Sequence, residues 1–289
     1  MIRQNKKITV GLALSGGGAR GIAHIGVLAA MNKYGIYPDF ISGTSMGAIV
    51  GLFYAAGFSP QAMVDLMIRK RKMHRIVRWN IPGSGLLDLK KLEALLHESL
   101  SVDTFNDLKM PFYCAVTNLN SGLCEYVSSG KVIEYVLASA SVPVLVQPRV
   151  INGQTYVDGG LLSNLPVAPL KGMADLIIGV HMNHNEQMNE IKGMRSIAER
   201  CFRLAIGQNA RTSFRDCNFV IDPPQVRRYS TFAFDKAREI YQLGFDETEQ
   251  HILDFFSLID VKAVVQGLNR METSDKEPEK KLSVPGSKR

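Results

Sequence analysis

Asp39-Phe40-Ile41-Ser42-Gly43-Thr44-Ser45-Met46-Gly47-Ala48-Ile49-Val50-Gly51-Leu52-Phe53-Tyr54-Ala55-Ala56 is the stretch that decides the fold of this 289-residue chain. Its first four residues read as the end of a buried strand, and Ala48 to Ala56 as an apolar helix. Between them, Gly43-Thr44-Ser45-Met46-Gly47 is a G-x-S-x-G pentapeptide. A serine on a sharp strand-to-helix turn is held in a strained backbone conformation, and its hydroxyl projects from the sheet edge. Glycines at 43 and 47 let strand and helix approach closely. Ser45 is therefore a candidate nucleophile, although the pentapeptide alone is equally compatible with a plain glycine-rich turn.

Two flanking motifs decide between those readings. Upstream, Ile8-Thr9-Val10-Gly11-Leu12-Ala13-Leu14 reads as the first strand and Ile22 to Met31 as a helix. Between them lies Ser15-Gly16-Gly17-Gly18-Ala19-Arg20-Gly21. Adjacent glycines can aim successive backbone N–H groups at one point, and the helix N-terminus adds its positive end. Such a loop binds an anion, either a phosphate or the oxyanion of acyl transfer. Arg20 adds a fixed positive charge. Downstream, Gly153 to Val157 alternates like a strand that ends at Asp158, followed by Gly159 and Gly160. A carboxylate there is sterically open, though a lone D-G-G is more commonly a β-turn.

Together, Gly16 to Gly21, Gly43 to Gly47 and Asp158 to Gly160 resemble the patatin-like phospholipases and lysophospholipid acyl hydrolases, including the neuropathy-target-esterase-like group. The order and placement agree over roughly the first 180 residues, and Ala138-Ser139-Ala140-Ser141-Val142-Pro143 is similar to the family's small-residue helix end. Asn118 departs from an aspartate common there. The resemblance implies a single patatin-like domain, a three-layer α/β/α fold with a largely parallel central sheet. It would occupy residues 1–271, with motifs within 8–181, a helical part at 195–260 and a disordered tail at 272–289. It also implies a Ser45-Asp158 dyad acting through an acyl-enzyme on a lipid ester, without cofactor or metal. Gly16, Gly17, Gly18 and Arg20 would form the oxyanion site. An ordinary aspartate is a weak base; burial without a cationic partner would strengthen it.

The residues alone also admit two other readings. Ser45, Asp158 and His181 or His184 follow the chain order of a Ser-His-Asp hydrolase, although Ser45 comes after only the second strand. Gly16, Gly18 and Gly21 satisfy G-x-G-x-x-G, with Asp39 placed like a ribose-binding acid, as in a dinucleotide module. That module does not call for the serine turn.

Four cysteines without C-x-x-C pairing read as reduced thiols of a cytoplasmic protein. Arg3, Lys6 and Lys7 precede a short apolar run, but it enters the glycine loop without a signal-cleavage pattern. The net charge of +7 is concentrated: Arg69, Lys70, Arg71, Lys72, Arg75 and Arg78, with Trp79, occupy one stretch without an acid. It suits an anionic membrane surface, at the inner face of the membrane, or a solvated cap. Nucleic acid is disfavoured, since no stacking or reading motif accompanies the charge.

Alternation continues along the chain, as in an α/β fold with a largely parallel sheet. Strands are expected near 112–116, 125–127, 176–180 and 219–221. Helices are expected over 88–100, 132–140, 195–215 and 235–258, the last with a break at Gly244, and Pro82 to Gly85 reads as a loop. Oligomeric state is not legible.

Overall fold

Val10–Leu14 (β1) is buried at every position, the pattern of a central strand covered on both faces. The computed structural model describes residues 8–69, 89–183 and 190–258. In chain order, β1 leads through a tight 3-10 turn, Gly18–Ile22, into Ala23–Lys33 (α1). Phe40–Gly43 (β2), Met46–Ala55 (α2), Pro60–Arg69 (α3) and Lys90–Ser99 (α4) follow. Then come Phe112–Asn118 (β3), Leu123–Val127 (β4), Val132–Ser139 (α5), Arg149–Ile151 (β5) and Gln154–Asp158 (β6). Leu176–Val180 (β7), Gly193–Ser213 (α6), Phe219–Ile221 (β8) and Ala237–Gln250 (α7) complete the named elements.

The sheet runs β5-β6-β3-β2-β1-β7-β8, with β4 paired to β3 off that path. From β3 to β8 neighbours are parallel; β4, β5 and β6 join antiparallel. Successive strand residues face opposite sides. Leu12 and Leu14 accordingly enter a large apolar cluster with Ile25, Leu28 and Phe53, while Ala13 joins Leu165, Leu170, Ile177 and Ala210. The first cluster is capped by α1, α2, α3 and α7, the second by α6 and a 3-10 turn at Ala168–Leu170. Three layers result, as expected. The apolar α2 is buried at nine of its ten positions. Each fully buried Leu, Ile or Phe side chain contributes about 1.5–3 kcal/mol, so this helix is anchored rigidly behind the site.

One detail of the sheet positions the chemistry. One edge of β3 is occupied by β4, which pairs with Cys114 through Asn118. The opposite edge is shared: β2 ends there with Gly43 opposite Cys114, and β6 takes over with Asp158 opposite Val116. Two residues along a strand span about 7 Å. The end of β2, which delivers the serine turn, therefore meets the end of β6, which delivers the aspartate.

Some expectations need correction. Helix α7 runs through Gly244 and ends at Gln250, with helical structure resuming at 252–258; the break falls at His251. Gly244 is there for close approach, since a Cβ would stand 2.0 Å from the Ala23 carbonyl of α1. Helix α6 starts two residues early, at Gly193. Helix α4 starts at Lys90 with Leu89 at its N-cap, and Leu89, Leu92, Leu95 and Leu96 are all buried. The three-residue β5 carries too little pattern to be read from sequence. The Pro82–Gly85 loop and the 272–289 tail lie outside the described residues.

Candidate active site

Ser45 has φ 55° and ψ −119°, far from any conformation favoured by a side-chain-bearing residue. Such strain costs about 1–3 kcal/mol and persists only where the surroundings enforce it. Here the Ser45 N–H donates to Ser139 Oγ at 2.8 Å, and Ser139 Oγ donates to the Ala115 carbonyl at 2.7 Å. The Gly47 N–H closes the turn onto the Thr44 carbonyl at 2.8 Å. A Cβ on Gly47 would stand 2.3 Å from the Leu14 carbonyl oxygen, so the turn lies directly on the end of β1. The Ser45 hydroxyl sits at the positive N-terminal end of α2.

Asp158 is 2% exposed. Its N–H donates to the Ser141 carbonyl at 2.9 Å, and its Oδ1 accepts from the Gly160 N–H at 2.7 Å. The Ser45 side chain lies close enough to the carboxyl to act on its pKa. Burial pushes its pKa up to about 7, and the Gly160 hydrogen bond and the nearby Ser45 side chain pull it partly back. A carboxylate so displaced is a base matched to neutral pH.

The glycine loop folds as a 3-10 turn over the same cavity. The four groups expected in the oxyanion site divide here. The Gly16 N–H donates to the Asn164 carbonyl at 3.2 Å. Arg20 is 4% exposed, and its guanidinium donates to the carbonyls of Tyr229, at 2.6 Å, and Arg227, at 3.2 Å. The Ala19 N–H donates to the Thr231 carbonyl at 2.8 Å. Arg20 and Ala19 thus brace the loop against the C-terminal part of the chain. The N–H groups of Gly17 and Gly18 have no backbone acceptor among the described residues. Gly18 has φ +56°, and a Cβ there would stand 2.4 Å from the Thr231 carbonyl. Gly18→Ala should therefore displace the loop and lower kcat about 10²-fold or more, with KM changing little. Steady-state kinetics on a soluble ester checks this; a raised KM at unchanged kcat would make the loop a substrate-binding element only.

Ser45, Asp158 and the loop line one cavity of about 310 Å³. Its far wall is apolar, built from Ile49, Leu92, Val142, Val146, Phe202 and Ile206. Glu199, Arg200 and Arg203 of α6 add a charged rim. His181 is absent from the lining; its Nδ1 pairs with Asp222 Oδ1 at 2.9 Å and its ring packs edge-on against Phe214. His184 lies outside the described residues. His24 is fully buried, its Nε2 bonded to the Ser15 carbonyl at 2.8 Å, and burial lowers its pKa to about 4. Asp39 precedes β2, whereas the glycine loop follows the parallel β1, so the two sit at opposite ends of the sheet. That separation removes the dinucleotide geometry. Of the basic stretch, Arg69 ends α3; Lys70, Arg71, Lys72, Arg75, Arg78 and Trp79 lie outside the described residues.

Three residues at the site escaped the sequence reading, Asn164, Asn209 and Thr231, while Ser139 lies in the small-residue helix end, where the sequence assigns its hydroxyl no role. Asn209 Nδ2 donates to the carbonyls of Gly160 and Leu161, and its Oδ1 accepts the Asn164 N–H. Only the five-residue spacing of Asn164 beyond Gly159 was available as a signal, and spacing alone does not report a cross-chain contact.

Known proteins bear on this arrangement. The chain is 30% identical over 277 residues to a lysophospholipase nte1 of Emericella nidulans, covering 84% of this chain and 18% of that protein. It is 33% identical over 187 residues to an uncharacterised NTE family protein of Mycobacterium bovis, covering 64% and 52%. The chain thus spans less than a fifth of the first relative and about half of the second. Among solved structures, VipD from Legionella pneumophila aligns over 81% of this chain and 66% of its own, at a TM-score of 0.44 and 16% identity. The family model for patatin-like phospholipase matches residues 12–171, a span holding the glycine loop, Ser45 and Asp158. With more than half of its length inside that match, the chain belongs to the patatin-like phospholipase family.

Proposed function

We propose that this chain hydrolyses the carboxylic ester of a lipid, of phospholipid or lysophospholipid type, through Ser45 and Asp158. The observation that carries the reading is a strained serine beside a buried aspartate of pKa about 7, the two lining one cavity with apolar walls. Ser45 Oγ attacks the ester carbonyl carbon while its proton passes to Asp158. The carbonyl oxygen becomes an alkoxide facing the Gly17 and Gly18 N–H groups. Collapse breaks the carbon–oxygen bond, and the leaving alcohol takes the proton from Asp158. Water then attacks the acyl-enzyme, gives its proton to Asp158, and collapse returns that proton to Ser45 Oγ and frees the acid. The apolar wall suits an acyl chain, which supports a lipid over a small polar ester.

A fluorophosphonate probe tests the reading directly. It should label the peptide carrying Ser45 and no other. Labelling elsewhere, or none on active protein, removes Ser45 as the nucleophile.

The basic stretch from Arg69 to Trp79 supports docking of the enzyme on anionic lipid, as at the inner face of a membrane. Each Lys or Arg near such a surface contributes about 1 kcal/mol, screened by salt. Replacing Arg69, Lys70, Arg71 and Lys72 with Gln should weaken sedimentation with phosphatidylserine vesicles by about 10²-fold or more at low salt. Hydrolysis of a soluble short-chain ester should hardly change. Wild-type protein that ignores such vesicles at low salt contradicts the docking claim.

A further inference from the structure

Asn164 is 1% exposed and lines the cavity. Its backbone is fixed from both sides: its N–H donates to Asn209 Oδ1 at 2.8 Å, and its carbonyl accepts the Gly16 N–H at 3.2 Å. The neighbouring Ser163 carbonyl is held by Thr44 Oγ1 at 2.9 Å, and that of Pro166 by Ser42 Oγ at 2.6 Å. The side chain therefore has a defined place. Its Nδ2 stands 2.7 Å from where a Cβ on Gly16 would be, a point 3.3 Å from Ser45 Cβ. It stands 3.1 Å from where a Cβ on Gly160 would be, a point 2.9 Å from Asp158 Oδ1. Nucleophile, base and amide nitrogen share one small space.

The amide is not explained by packing. Its Oδ1 is buried with no hydrogen-bond partner among the described residues. A buried acceptor without a donor destabilises a fold, and an aliphatic side chain of similar shape would avoid that cost. Its Nδ2 has no protein acceptor among the described residues, and Asn164 lines the cavity. Meanwhile Asn164 withdraws one expected oxyanion donor, the Gly16 N–H, by accepting it at its own carbonyl. Its amide nitrogen lies beside Gly16 all the same.

We propose that Asn164 is a catalytic residue, its side-chain amide serving with the Gly17 and Gly18 N–H groups as a third donor to the acyl oxyanion. The proposal rests on the Ser45 reading above. Asn164 keeps its proton throughout; the alkoxide formed by attack of Ser45 Oγ accepts its N–H, and the charge leaves when the carbonyl re-forms. Both acylation and deacylation pass through such an alkoxide, so the amide acts in both.

The test uses the full chain with p-nitrophenyl butyrate and two variants. Asn164→Leu fills the site without a donor; Asn164→Ala fits without any clash. Both should lower kcat about 10²-fold with KM within about three-fold, and both should slow fluorophosphonate labelling of Ser45 in parallel. The melting temperature of Asn164→Leu should match or exceed wild type, because the orphaned acceptor is gone. Wild-type kcat in either folded variant overturns the proposal, as does a loss confined to KM. Two variants that both melt below the assay temperature would make the amide structural, which also overturns it. Wild-type protein that is active but unlabelled at Ser45 would instead remove the nucleophile assignment on which the proposal stands.

Discussion

Ser45→Ala should leave the fold intact and reduce ester hydrolysis about 10⁴-fold or more, to the level of whatever the remaining site contributes by binding alone. The substitution deletes one oxygen and keeps the Cβ, so the turn at φ 55° carries the same backbone strain in both proteins. The braces that enforce it, from Ser139 Oγ to the Ser45 N–H and from Gly47 to Thr44, use backbone groups that alanine retains. Melting temperature should stay within a few degrees of wild type. A panel of acyl substrates, from short esters to lysophospholipids, gives the same experiment a second use: the substrate whose hydrolysis falls furthest in the variant is the one the site serves best. Hydrolysis retained at a tenth of wild type or more would mean that water attacks the ester directly, with no serine intermediate.

Asp158→Asn should lower kcat/KM by about 10²–10⁴-fold, since the shape is kept and the basicity removed. It should also raise stability at alkaline pH. The folded-state pKa of about 7 lies above the ordinary 3.8, so between those values the folded protein binds more protons at this site than the unfolded chain. Stability from this group therefore falls as pH rises from about 4 to about 7, and the loss is complete above that range. At 1.36 kcal/mol per pH unit the ionised carboxylate costs the fold at most about 4 kcal/mol at pH 8. Asparagine carries no such charge. The variant should melt above wild type at pH 8, with the gap closing near pH 4. A variant less stable than wild type at pH 8 would mean that the carboxylate is held in its charged form by partners other than Ser45 and Gly160.

Much of this architecture was legible because its parts are local. The apolar strand of β1, the serine turn and the uniformly apolar α2 each follow from short-range pattern, and each lies where the pattern put it. The pairing of Ser45 with Asp158 was not legible from spacing; it came through family resemblance. Its physical cause is the sharing of one β3 edge by β2 and β6, a non-local register that no window of sequence reports. The same limit explains Arg20. A charge beside a glycine loop reads as part of an anion site, yet its guanidinium donates to carbonyls more than two hundred residues away. It explains the C-terminal part as well, which carries no motif but supplies Thr231, Asn209 and the carbonyls that hold the loop. Gly244 was misread for a simpler reason: helix propensity sees a weak point, whereas the fold uses the missing side chain to bring α7 onto α1.

The central claim is that a carboxylate, with no histidine, accepts the proton of Ser45. The pH dependence of kcat/KM for a soluble ester, measured between pH 5 and 9 on wild type, Asp158→Asn and His181→Ala, tests it most directly. Wild type should rise through a single midpoint near 7, as the ionisation of Asp158 requires. His181→Ala should keep both the rise and most of the rate, because His181 is paired with Asp222 away from the cavity lining. Asp158→Asn should lose the rate and the midpoint together. A rise near 7 that survives in Asp158→Asn and vanishes in His181→Ala would contradict the dyad and make the histidine the base.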